Sequence, residues 1–198
     1  MLQIINYLGE IVVAIISSLG YWGVAICMAI ESCNIPLPSE IIQPFGGFLV
    51  FTGRFTFINV VLAGTIGGTI GSLLSYYLGA YAMDSRILFW VSASKKQLLI
   101  DWFNRHGEGT VFFGRLLPGI RTFISLPAGA ARMNLPRFIV YTFAGSLIWS
   151  IFLTYLGYVL GQNWRILSRY FHDVDLVIGL AILGLILYYF YHRRIHKW

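Results

Sequence analysis

Long apolar runs dominate the chain, and short polar or proline-containing stretches separate them. Four of these runs approach or exceed the length that a bilayer-spanning helix needs, about 20 residues. They are Ile11–Ile30, Phe57–Met83, Phe138–Leu160 and Val174–Tyr191, of which the last is the shortest. This pattern predicts an all-α polytopic membrane protein with about four transmembrane helices.

Two other apolar stretches are interrupted by proline, which does not continue a helix. Ile41–Thr52 has only 12 residues after such a break, too few to cross a bilayer. The run over residues 112–133 is likewise divided near its middle. We therefore predict two re-entrant helical hairpins, at about 34–54 and about 110–134. The predicted breaks are Pro36, Pro38, Pro118 and Gly119.

The two halves of the chain repeat weakly. FINVVLAGTIG from Phe57 and FIVYTFAGSLI from Phe138 share Phe-Ile and Ala-Gly at a constant offset, with valine between them, and each run later contains Tyr-Leu-Gly. A proline-broken hairpin precedes each run, and one crossing separates the two hairpins. The hairpins must therefore approach from opposite faces of the membrane, as expected for an inverted repeat with a central transport site.

Small residues recur every three or four positions in the second apolar run, which places them on one helical face. They are Gly64, Gly68, Gly71, Ser72, Ser75 and Gly79. Such a face allows close approach of another helix. The segment at about 84–109 instead mixes charges with aromatic residues, and this mixture predicts an amphipathic helix at the membrane interface.

The composition agrees with this assignment, because 58% of residues are hydrophobic and only 11% are charged. We expect one membrane domain over residues 1–198. Nine basic residues fall on the predicted side of both termini and three on the other, so the positive-inside rule places both termini in the cytoplasm. The nine are Arg86, Lys95, Lys96, Arg105, Arg132, Arg137, Arg193, Arg194 and Lys197; the three are Arg54, Arg165 and Arg169. No basic run is interleaved with aromatic residues as nucleic-acid binding would require.

Four charged residues lie where the apolar sequence predicts membrane: Glu31, Glu40, Arg115 and Arg121. If each were isolated at the bilayer centre, the four charges would together cost about 10–14 kcal/mol of membrane-insertion free energy. We therefore expect them to form acid–base pairs where the two hairpin tips converge. Two interpretations remain: a salt-bridge cluster that only stabilises the fold, or a site in which two arginines bind an anion and carboxylates exchange protons.

Other groups carry less information. Cys27 and Cys33 are expected to be free thiols that pack. His192 and His196 are four residues apart in the basic tail but have no third ligand, so we expect no metal and no cofactor. No sequence motif supplies a nucleophile together with a base.

These residues resemble the DedA family, also called the SNARE-associated or VTT-domain family. The resemblance rests on ESCNIPLPSE (Glu31–Glu40) and on FGRLLPGIRTFISLPAGAARM, which contains GRxxPxxR followed by PAGxxxM, and it covers about Glu31 to Gly161. It implies two opposed re-entrant hairpins and essential intramembrane acids and arginines, at positions that match Glu31, Glu40, Arg115 and Arg121. Many relatives carry an aspartate further along where this chain carries Glu40.

The resemblance also implies a function in the bacterial plasma membrane: flipping of undecaprenyl phosphate, driven by proton-motive force. Arg115 and Arg121 would bind the phosphate, and Glu31 and Glu40 would pair with them and exchange protons. The alternatives are a phospholipid flippase or scramblase, a proton-coupled small-ion antiporter, and an undecaprenyl-pyrophosphate phosphatase. The phosphatase is weakest because no intramembrane histidine accompanies Ser125.

The predicted topology can be tested by cysteine-accessibility labelling on a background without the native thiols. Cysteines at positions 96 and 194 should react from the cytoplasm, and cysteines at positions 54 and 162 from outside. If the two ends of either hairpin were labelled from opposite sides of the membrane, that result would contradict the inverted repeat.

Overall fold

A computed structural model describes residues 2–35, 37, 39–84 and 109–161. Every regular element in these residues is an α-helix, and we number the helices in chain order. They are α1 Leu2–Leu19, α2 Tyr21–Ser32, α3 Ser39–Phe51, α4 Phe57–Asp84, α5 Gly109–Arg115, α6 Ile120–Phe123, α7 Ser125–Ala130 and α8 Leu135–Val159. The predicted interfacial helix, the predicted last span and the basic tail lie outside the described residues.

The two long helices, α4 and α8, confirm the second and third predicted apolar helices. Phe57–Tyr81 and Leu135–Val159 each supply 25 residues that are apolar enough to cross a membrane. At the helical rise of about 1.5 Å per residue, each stretch is about 37 Å long and exceeds a hydrocarbon core of about 30 Å.

Helix α4 exposes most of its isoleucines and leucines and buries its small polar residues. The exposed stripe is Ile58, Leu62, Ile66, Ile70, Leu74 and Leu78. The predicted face of glycines and serines is buried on the opposite side, together with Thr65 and Thr69. Their hydroxyls bond back to the helix, as in Thr65 to the Val61 carbonyl at 2.8 Å and Thr69 to the Thr65 carbonyl at 2.7 Å. This distribution is the reverse of a soluble core helix.

The prediction of one continuous helix from Ile11 to Ile30 is wrong. The chain breaks at Gly20, whose φ of 62° lies in the left-handed region that glycine adopts readily. Helix α2 then folds back against α1. The two backbones are so close at Gly23 that a Cβ there would come within 2.7 Å of the Ile15 carbonyl oxygen. Hydropathy does not reveal this break, since both sides of Gly20 are apolar.

Helices α2 and α3 form a helix–turn–helix unit whose two ends lie together. The rings of Tyr21 and Phe55 are 4.5 Å apart, and the Thr56 backbone N–H donates to the Tyr21 hydroxyl at 2.9 Å. The unit therefore begins at Tyr21, well before the boundary at 34 that the sequence predicts. The breaks at Pro36 and Pro38 fall on residues outside the described ranges.

Helices α5, α6 and α7 form a second unit of this kind. Its ends also lie together, because Val111 and Met133 pack in one buried cluster with Tyr76 and Phe138. The first unit thus opens beside the start of α4, and the second opens beside the last turns of α4 and the start of α8. The two units therefore point towards each other from opposite ends of the long helices.

The second arm of each unit packs on the long helix of the other half of the chain. Glycines permit this contact: Gly157 of α8 lies against the Pro44 carbonyl of α3, and Gly79 of α4 lies against the Leu126 carbonyl of α7. These glycines end the two Tyr-Leu-Gly repeats. The repeat thus marks equivalent contacts through which the halves interlock.

We expect Gly157→Ala to destabilise the protein, because its methyl group would collide with the Pro44 backbone. The loss should be about 1–3 kcal/mol, or several degrees in the thermal midpoint at about 2–4 °C per kcal/mol. Thermal unfolding in detergent measures it. Gly109→Ala is the matched control, since a methyl group there meets no atom of the described residues within 4 Å. Equal midpoints for the two variants would contradict the close contact.

Candidate anion site between the two helical units

A buried ion pair joins the tips of the two units. Glu31 lies in the last turn of α2 and Arg121 lies in α6, and each residue is 3% exposed. Arg121 Nη2 is 2.5 Å from Glu31 Oε2, and Arg121 Nε donates to Glu31 Oε1 at 3.3 Å. The guanidinium therefore presents two parallel donors to the carboxylate, which is the strongest geometry available to this pair.

Neighbouring polar groups hold the Glu31 carboxylate in place. The Thr122 hydroxyl donates to Oε1 at 2.8 Å, and the Ser32 hydroxyl donates to Oε2 at 3.4 Å. Asn34, in the turn after α2, donates through Nδ2 to the Thr122 carbonyl at 3.2 Å. Asn34 has a φ of 68°, a conformation that asparagine tolerates better than most residues. Both units thus contribute to one hydrogen-bonded cluster.

Arg115 brings a second buried guanidinium to the cluster. It ends α5 and is 2% exposed, and its Cβ packs where Gly145 of α8 has no side chain. Its Nη1 donates to the Arg121 carbonyl and its Nη2 donates to the Gly68 carbonyl, each at 3.3 Å. Backbone dipoles therefore contact this guanidinium directly.

Some buried polar atoms in the described residues have no hydrogen-bond partner. They are Arg115 Nε, Ser125 Oγ, Thr142 Oγ1 and Trp149 Nε1. An unmade hydrogen bond costs about 1–3 kcal/mol per buried group, so such atoms call for an explanation. Arg115 and Trp149 both adjoin Arg121, because Arg121 Cζ lies 5.3 Å from the centre of the Trp149 ring. An oxyanion is the kind of ligand that accepts from N–H donors in this position.

Comparison with known proteins identifies the family. The VTT domain family matches residues 37–159. The chain belongs to the VTT-domain family, which is also the DedA family. A relative from Bacillus subtilis (strain 168), named undecaprenyl phosphate transporter A, is 35% identical and the match covers 90% of this chain and 91% of the relative. A relative of the same name from Staphylococcus aureus is 29% identical, with 91% and 93% covered.

A relative with a different name is similar over the same length. The alkaline phosphatase-like protein of Lactococcus lactis subsp. cremoris is 38% identical, with 90% of this chain and 91% of the relative covered. No solved structure matches the chain.

Three of the four charged residues predicted in this VTT-domain protein meet. Glu31, Arg115 and Arg121 form one cluster where the tips of the two units meet. Glu40 lies in the first turn of α3, half-buried, and accepts a hydrogen bond from the Ser39 hydroxyl at 3.1 Å. Its pairing with an arginine remains a prediction.

The second unit is divided between α5 and α6. Helix α5 ends at Arg115, and α6 begins at Ile120 after Gly119, whose φ is 74°. Pro118 lies in the turn between them. Cys27 and Cys33 are free thiols, as expected. The described residues include no group of three possible metal ligands, and His192 and His196 lie outside them.

Two polar contacts inside the helix bundle are not predicted from the sequence, one from Trp149 of α8 and one from Gln43 of α3. The sequence around Trp149 predicts only an apolar span. Gln43 is fully buried between the long helices, where its Nε2 donates to the Ser150 hydroxyl at 3.1 Å and its Oε1 accepts from the Thr154 hydroxyl at 2.9 Å. Gly64 leaves room for this amide. A glutamine within an apolar arm was the available signal, because such polar groups need partners.

A double-mutant cycle with Glu31→Gln and Arg121→Gln should reveal strong coupling. Either single change leaves an unpaired buried charge and should cost about 3–5 kcal/mol. The double variant should recover about 2 kcal/mol relative to the sum, within the range for direct contacts. Thermal unfolding of the four proteins measures this coupling, and strict additivity would show that the pair contributes no direct interaction.

Proposed function

We propose that this protein is a flippase for a phosphorylated polyprenyl lipid, namely undecaprenyl phosphate, in the bacterial plasma membrane. The observation that carries the proposal is the buried Glu31–Arg121 pair with Arg115 beside it, at the meeting point of two opposed helical units. Ionisable groups at membrane depth are costly and serve transport or coupling in most membrane proteins.

The proposal places α4 and α8 across the bilayer and treats the two helix–turn–helix units as re-entrant hairpins. Helices α2 and α3 have 12 and 13 residues, so neither is long enough to cross alone. The apolar outer stripe of α4 would face lipid. Arg115 reaches the carbonyl of Gly68, which is one residue from the middle of Phe57–Tyr81. The arginine site would therefore lie near the bilayer midplane, as in transporters built from inverted repeats.

The present hydrogen-bond partners of the two arginines indicate how each could bind a phosphate. Arg115 donates to backbone carbonyls, and a phosphate oxygen would give its guanidinium a charge-assisted bond instead. The donors of Arg121 that bond Glu31 must change partner before phosphate can take them. A proton on Glu31 would weaken the pair and release Arg121 for the lipid. This exchange would couple lipid binding to protons and hence to proton-motive force.

The names of the relatives guide the choice of lipid. Two relatives carry the name undecaprenyl phosphate transporter A, and both match about nine-tenths of this chain. We therefore propose undecaprenyl phosphate ahead of a phospholipid, and transport ahead of a small-ion antiport that leaves two buried arginines without a role. Both termini would be cytoplasmic, as the distribution of basic residues predicts.

Phosphate-ester hydrolysis is the second candidate, because one relative is named alkaline phosphatase-like. Ser125 is the nucleophile to consider, since it is fully buried after α6. Within the described residues its hydroxyl has no hydrogen-bond partner, so no base contacts it there. Nucleophilic catalysis by serine depends on such a base. The arrangement therefore supports phosphate binding more than phosphate cleavage.

The proposal is tested by measuring undecaprenyl phosphate transport in reconstituted vesicles for variants that keep the charge of each arginine and lose its planar shape. Arg115→Lys and Arg121→Lys keep the charge but lose the planar fork, so each should lose at least tenfold in undecaprenyl phosphate flipping. Arg54→Lys, at an exposed position, is the matched control and should transport normally. Glu31→Gln should flatten the pH dependence of the rate. Wild-type flipping by both buried lysine variants would contradict the anion site, and phosphate release from a pyrophosphate lipid would support hydrolysis.

A further inference from the structure

Trp149 lies at the edge of the arginine cluster and contacts it with one ring face. Its helix, α8, turns Ser146 and Ser150 into the interior and exposes Ile148 and Phe152. Trp149 itself is half-buried, so its ring lies between the cluster and the outer surface of the protein. The indole thus adjoins both the charged site and the surroundings where a lipid tail would remain.

The indole has two separate features at the cluster. Its face lies 5.3 Å from Arg121 Cζ, which is cation–π distance. Its Nε1–H is buried and has no partner among the described residues. An indole N–H only donates, so it requires an acceptor that the neighbouring guanidinium cannot provide. The cation–π contact explains the position of the ring but leaves its N–H unexplained.

A second N–H donor in the cluster has the same property. Arg115 Nε is buried and has no partner in the described part of the chain, although Arg115 Nη1 and Nη2 both donate to carbonyls. Arg115 and Trp149 contact Arg121 through different atoms, since Arg115 bonds its carbonyl and Trp149 stacks on its guanidinium. Unpartnered N–H donors therefore lie on two neighbours of one arginine.

We propose that Trp149 is a headgroup-binding residue whose Nε1–H donates to the lipid phosphate and selects a phosphate monoester over a diester. The inference rests on the proposed phosphate site. A monoester has three terminal oxygens and a diester has two. Arg121 released from Glu31 supplies two donors, Nε and Nη2, and Arg115 Nε and Trp149 Nε1 supply two more, which together suit the three charged oxygens of a monoester. A diester replaces one charged terminal oxygen by an esterified oxygen, which is a poorer acceptor, so the buried donors are satisfied less completely and binding weakens.

Trp149→Phe tests the inference, because phenylalanine keeps an aromatic face for Arg121 and removes the N–H. The half-saturating concentration of undecaprenyl phosphate should rise about tenfold, as expected for a lost hydrogen bond to a charged group. The maximal rate should stay within about twofold, since Arg121 remains in place. Tyr155→Phe, which removes a hydroxyl from an exposed aromatic residue on the same helix, is the control and should leave both values unchanged.

Selectivity gives a readout that a packing role would not change. Farnesyl phosphate and its methyl diester serve as competing inhibitors of flipping. The monoester should inhibit the wild-type protein at about one-tenth of the diester concentration, and the two should be within about twofold for Trp149→Phe. If that variant does not fold, 3-benzothienylalanine at position 149 replaces the N–H by sulfur at nearly constant shape and gives the same comparison.

Wild-type half-saturation and undiminished monoester selectivity in these variants would overturn the role of Trp149. Arg121→Lys measured in parallel separates this outcome from failure of the proposed function. If Arg121→Lys loses transport while Trp149→Phe retains full selectivity, the phosphate site stands and the inference about Trp149 fails. If Arg121→Lys transports normally, the phosphate site itself fails.

Discussion

The pairing of Glu31 with Arg121 is the constraint on which the rest of the structure depends. The residues are 90 positions apart in the chain, and each lies at the tip of a different helical unit. Removing two charges from water is costly, and direct pairing offsets the cost only when the geometry is good and other donors complete it. The bidentate contact and the Thr122 hydroxyl meet that condition. The chain must therefore bring both tips to one place.

Close packing of the backbone makes that meeting possible. The arms reach the opposite half because glycines in α4 and α8 remove the side chains that would separate the helices, as at Gly79 and Gly157. The interior that results contains small hydroxyl residues and buried Gln43, while most isoleucines and leucines of α4 face outwards. Such an arrangement suits a protein whose surroundings are apolar and whose polar groups must satisfy one another.

The interaction that holds the tips together also limits what the site can bind. Glu31 occupies two donors of Arg121, so an anion at the proposed site would compete with an internal carboxylate for them. Arg115 donates to weaker acceptors, and its Nε has no partner among the residues whose positions the structure describes. A transport site benefits from this balance, because a ligand held by every available donor would not leave. Stability and ligand release would then depend on the same pair.

The sequence determined the helices, the broken second unit and the charges that had to meet, because length, proline and the cost of isolated charge act locally or on composition. Those rules predicted α4, α8, the break at Pro118 and Gly119, and acid–base pairing among the four membrane-embedded charges, but not that Arg121 pairs with Glu31. Only the tertiary structure decided the break at Gly20, since apolar residues lie on both sides and hydropathy is the same for a straight or a folded helix. It also decided the partners of Gln43 and the position of Trp149. Those contacts join α8 to residues distant in the chain, and no local spacing specifies which face of a long helix they meet.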